Sequence, residues 1–155
     1  MQKSKTKIIV NFITTLLKIS IPIGVIILIL LNSILDKLNI KQDLLTFLIY
    51  PCIILFLAFI YIFIKLFNQL KLEKPFSKET VKYLKCSMII SFIIDIIIVI
   101  ALILSIVVYP TYTMAVKISL TFFFILFLGV GIALYLLSEL FRQATEYKEE
   151  NDLTI

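Results

Sequence analysis

Histidine and tryptophan are absent from this chain of 155 residues. Without imidazole, the commonest general base and metal ligand is missing. Without indole, aromatic anchoring at a membrane surface falls to tyrosine. The seven tyrosines (Tyr50, Tyr61, Tyr83, Tyr109, Tyr112, Tyr135 and Tyr147) mostly lie near the ends of apolar stretches. Cysteine occurs twice, with no Cys-x-x-Cys, which argues against thiol oxidation chemistry. The most informative absence is that of charge over long runs. There are 17 uncharged residues between Lys18 and Asp36, 21 between Asp43 and Lys65, and 21 between Lys117 and Glu139. The 31 residues between Lys85 and Lys117 are broken by Asp95 alone.

About 20 apolar residues, rising 1.5 Å each, cross a hydrocarbon core roughly 30 Å thick. The composition agrees: 61% of residues are hydrophobic and the mean hydropathy is +1.11. Hydrocarbon offers no hydrogen bonds, so each span must satisfy its own backbone as a helix. The expectation is an all-α, integral membrane four-helix bundle, a single domain over 1–155. Its spans are placed at about 16–36, 44–66, 83–109 and 114–141, with a loop at 67–82 and a tail at 142–155. The basic N-terminus followed by an apolar run lacks a small-residue cleavage site and reads as an uncleaved first span. Richness in isoleucine and lysine fits a bacterial chain.

The cations are unevenly distributed. Lys3, Lys5, Lys7 and Lys18 precede the first span. Lys65, Lys71, Lys74, Lys78, Lys82 and Lys85 lie between the second and third, and Arg142 and Lys148 follow the fourth. These 12 fall on one side, against three (Lys37, Lys41 and Lys117) on the other. The positive-inside rule therefore puts both termini and the larger loop in the cytoplasm of a plasma-membrane protein. Residues 8–17 are amphipathic. Ile8, Ile9, Phe12, Ile13, Leu16 and Leu17 form one stripe, opposite Asn11, Thr14, Thr15 and Lys18, as in an interfacial entry to the first span. Pro22 and Gly24 are candidates for a bend. Pro75 stops the second helix, and Ser77 is a suitable N-cap for the third, with Glu79 in its first turn.

Asp95 is the sharpest single residue. A carboxylate at mid-span costs at least about 2.5–3.5 kcal/mol on insertion scales, so it should face the bundle. Tyr83, Ser87, Ser91 and Asp95 recur every four residues and line one helical stripe. This is a candidate buried polar site for a proton, a cation or a basic ligand. It is equally readable as a protonated or hydrogen-bonded polar contact between helices, because burial disfavours the charged form of a carboxyl. Gly129 and Ala133, with Gly131 between them, have the small-xxx-small spacing of close helix packing. Cys52 and Cys86 lie about a membrane apart, cannot bridge, and read as packing residues. No metal or cofactor site is indicated.

The basic stretch 71–85 (Lys71, Lys74, Phe76, Ser77, Lys78, Lys82 and Lys85) suits either of two surfaces. It can lie on anionic lipids of the inner leaflet, at roughly 1 kcal/mol per lysine, or dock a soluble partner. Glu146, Glu149, Glu150 and Asp152 of the tail can sit against those lysines. Direct nucleic-acid binding is not expected from so few charges beside an acidic membrane.

Lys74-Pro75-Phe76-Ser77, followed by Val81-Lys82-Tyr83-Leu84-Lys85, and the ending Tyr147-Lys148-Glu149-Glu150-Asn151-Asp152-Leu153-Thr154-Ile155 resemble the bacterial "domain of unknown function 2975" membrane family. The four-span layout matches too. The resemblance implies no activity and no catalytic residues. It implies genomic neighbours that are small helix-turn-helix regulators, and hence a membrane-bound regulatory partner of such a protein. The alternative from the residues is a small transporter or self-protection protein using Asp95. Without histidine, a metal cluster or an activated nucleophile, no enzyme is expected.

Overall fold

A computed structural model describes residues 2–37, 47–72, 76–108 and 114–153. They form four helices: α1 (Gln2–Lys37), α2 (Ile49–Lys71), α3 (Lys78–Val107) and α4 (Met114–Leu153). Each contains a stretch long and apolar enough to cross a membrane. Lys74, Pro75, Tyr109, Pro110, Tyr112, Thr154 and Ile155 lie outside the described residues.

Helix length separates what crosses from what projects. At 1.5 Å per residue, the 36 residues of α1 extend about 54 Å, the 30 of α3 about 45 Å and the 40 of α4 about 60 Å. Each exceeds a hydrocarbon core of roughly 30 Å. The tail expected from 142 is thus mostly the last turns of α4, and the loop expected over 67–82 is largely helical. On α1 the apolar stretch is Lys7–Leu30, beginning earlier than the expected 16.

The helices pack in chain order: α1 on α2, α2 on α3, α3 on α4. Among the described residues α1 makes no close backbone approach to α3 or α4. By the same measure α2 does not approach α4, which it meets through aromatic side chains, so α1 and α4 each have one close backbone neighbour among the described helices. Phe127 of α4 holds two α2 rings, Phe56 and Phe59, near edge-on at centroid distances of 6.3 and 6.5 Å. Edge-to-face pairs set the aromatic quadrupoles favourably.

The buried face of α3 mixes small polar residues with aliphatic ones. Thr80, Leu84, Ser87, Ser91, Ile94, Ile98, Ala101 and Ser105 are buried, spaced alternately by four and three. That is the seam of helices crossing at a shallow angle. On α4, Gly131, Leu134, Ser138 and Thr145 are buried in the same rhythm. Lipid is as apolar as leucine, so burial of leucine drives nothing here; small side chains that let backbones approach do more. The outside is correspondingly apolar, with Ile29, Ile106 and Ile125 all exposed.

Local signals explain the ends and close contacts. Ser77 has extended backbone angles, and its Oγ accepts from the Thr80 amide at 3.2 Å, capping α3. The helix α1 runs through Pro22 without interruption. A Cβ on Gly24 would lie 2.5 Å from Leu57 Cδ2, so this glycine brings α1 close to α2. In the amphipathic stretch, Val10 and Thr14 face inward while Ile8, Ile9 and Phe12 face out. Thr14 turns its hydroxyl to its own backbone, donating to the Val10 carbonyl at 2.8 Å.

Candidate functional site

Asp95 lies about 15 Å of helical rise from Lys85 and about 18 Å from Val107, near mid-membrane. It follows Ile94 on the seam, so it sits at the seam's edge. The residue is 5% exposed, and neither carboxylate oxygen has a hydrogen-bond partner. Buried polar groups are normally paired, and leaving one unpaired is costly in low dielectric. The lysines of the neighbouring spans do not reach it. Lys18 is exposed, and Lys65 lies over the Tyr61 ring at 5.5 Å from its centroid.

The expected stripe is assembled in part. Ser87, Ser91 and Asp95 are buried, while Tyr83 is half-buried. Ser91 Oγ donates to the Phe127 carbonyl of α4 at 2.8 Å. Ser87 Oγ is buried without a partner. None of these hydroxyls satisfies the carboxylate. An open recess of about 370 Å³ lies over Asp95, walled by Phe92, Ile96, Val99 and Ile100 of α3 and Phe124 and Leu128 of α4. Apart from Asp95, its lining is apolar.

The small-residue expectation needs a correction. Gly129 and Ala133 are exposed, and a Cβ on Gly129 would meet nothing within 4 Å. Gly131 is the packing residue: a Cβ there would stand 3.0 Å from Phe92 Cε1. The small-xxx-small spacing picked the wrong face. The signal that finds the right one is a repeat of seven on α4, in which Gly131, Ser138 and Thr145 recur inward.

At the opposite end of the α3–α4 pair lies the basic stretch. Phe76 stacks on Phe141 with centroids 5.4 Å apart. Lys78 Nζ lies 3.0 Å from Glu149 Oε1, so one of the expected acidic residues sits against one of the lysines, while Glu146 pairs with Arg142. Ser77 is engaged as a cap rather than free for a partner. Lys71 is half-buried, and Lys82 and Lys85 are exposed. Arg142 was not singled out by sequence reasoning. It bridges Glu139, three residues back, and Glu146 Oε1, four residues on, at 2.7 Å. The spacing that permits this is legible in the chain. Cys52 and Cys86 are free thiols, both half-buried.

Residues 19–155 match the family described as "Protein of unknown function (DUF2975)". The chain belongs to this family. No curated protein and no solved structure matches it. Membership agrees with the resemblance carried by the 74–85 and 147–155 segments, and within DUF2975 the match spans nearly the whole four-helix layout.

Proposed function

We propose that this DUF2975 protein is a non-enzymatic, multi-pass protein of a bacterial plasma membrane. Both ends lie in the cytoplasm, and it acts as the membrane-side regulatory partner of a small helix-turn-helix transcription regulator. The excess of lysine on one side of the spans supports the orientation. The lack of histidine supports the absence of catalysis. One observation carries the partner reading. Beyond the spans, α3 and α4 continue as a packed helical pair, held by Phe76 on Phe141 and Lys78 on Glu149, with Lys82 and Lys85 exposed. A preorganised platform binds a soluble partner at lower entropic cost than a loose tail does. Anionic lipid of the inner leaflet is the alternative contact for the same lysines. The class of partner comes from the family resemblance.

The test is a pull-down of the full chain from detergent-solubilised membranes. A helix-turn-helix regulator should be enriched, and lost on Lys82→Glu with Lys85→Glu. Recovery of no regulator counts against the reading. A reporter joined after Ile155 should be active only inside the cell.

A second reading, a small transporter or self-protection protein, is favoured by the unpartnered carboxylate of Asp95 at mid-depth. Asp95→Asn should then lower solute resistance or proton-linked uptake. An unchanged phenotype discards it.

A further inference from the structure

We infer that the recess over Asp95 is a binding site for a lipophilic organic cation that enters from the surrounding lipid. The inference rests on the second reading only in taking Asp95 as a working group; binding does not require transport. Three observations carry it. The first is charge complementarity. Asp95 is 95% buried, both oxygens lack partners, and it forms part of the recess lining. The second is the wall chemistry. Phe92 and Phe124 line the recess together with Asp95, and aliphatic side chains complete the surface. Aromatic faces attract cations, more so when water is excluded. The third is the opening. Ile96, Ile100 and Val99 on the rim are exposed at mid-span, where the outside is hydrocarbon.

These features choose among cations. A hydrated inorganic ion needs several oxygens to replace its water shell. Among the described residues, Asp95 is the only polar one lining this recess. An ammonium or phosphonium whose charge is wrapped in hydrocarbon loses little hydration on entry. It gains the carboxylate, two rings and apolar contact. The recess measures about 370 Å³ and stands open on one side, so a bound cation would keep part of its surface in lipid. The Asp95 oxygens are covered in this structure, so binding requires Ile96 or Val99, both exposed on the open side, to move off them.

The probe is radiolabelled tetraphenylphosphonium, measured by equilibrium dialysis against the purified full chain in an uncharged detergent. Saturable binding at one cation per chain is expected. Asp95→Asn should weaken it about thirtyfold or more, since removing one member of a buried charge pair has effects of that size. Ile96→Trp keeps the carboxylate but fills the recess, and should also abolish binding. Circular dichroism of each variant checks that the helices persist. Absence of saturable binding to the wild type, equal binding by Asp95→Asn, or full binding by Ile96→Trp overturns the inference. So does an Asp95-dependent dimer that binds no probe, because a second copy then fills the recess. Saturable, Asp95-dependent binding with unaltered solute resistance sustains the site while discarding the transport reading. Altered resistance without binding discards the cation alone.

Discussion

Ser91 Oγ donates to the main-chain carbonyl of Phe127 across 2.8 Å, tying α3 to α4. The ring of that same Phe127 meets Phe56 and Phe59 of α2. One residue of α4 thus joins three helices at one depth. Removing the hydroxyl as Ser91→Ala should destabilise the protein by about 0.6 kcal/mol, and by no more than about 1.7, as interhelical hydrogen bonds in membranes do. Reversible unfolding in mixed micelles measures this. A much larger loss would mean that the pair has a role beyond one bond.

The two glycines of α4 should respond oppositely to the same change. Gly131→Leu forces atoms against Phe92 and should cost about 1–3 kcal/mol, the range for overpacking. Gly129→Leu faces open space and should leave stability unchanged or raised. Thermal denaturation of both variants in one detergent makes the comparison. Equal losses would refute the assignment of faces.

Asp95 should be dispensable for folding. Its carboxyl is buried and unpartnered, so Asp95→Leu removes a costly group and adds apolar surface. The variant should be more resistant to denaturant than the wild type, by up to about 2.5–3.5 kcal/mol on insertion scales. A less stable Asp95→Leu would show that the carboxyl holds helices together. Stability gained by deleting a group marks one retained for use.

Ser77→Ala should loosen the start of α3. It leaves the Thr80 amide without the Oγ acceptor. Loss of such a cap costs typically about 1 kcal/mol. Amide exchange over residues 78–81 should speed up while the middle of α3 stays protected. Uniform acceleration along the helix would contradict a local cap.

Much of the fold is written in one dimension. The runs between Lys18 and Asp36, Asp43 and Lys65, and Lys117 and Glu139 specify helices, because hydrocarbon permits a spanning chain little else. Ser77 as a cap and Asp95 turned inward are equally legible, the one resting on local spacing and the other on burial cost. Gly129 against Gly131 is not. Both lie in the same small cluster, and their side of α4 depends on where Phe92 stands.

The chain by itself determined that it spans a membrane, with how many helices, and that a carboxyl lies at mid-depth. These follow from the solvent, which acts on each segment separately. Tertiary structure decided that the helices pack in chain order with α1 against α2, that Gly131 lies against Phe92, and that Asp95 lies beneath an apolar recess with no partner. Such facts depend on which faces of separate helices meet. In a bilayer that choice is made by close packing of small residues rather than by hydrophobic burial, so apolar patterning does not record it.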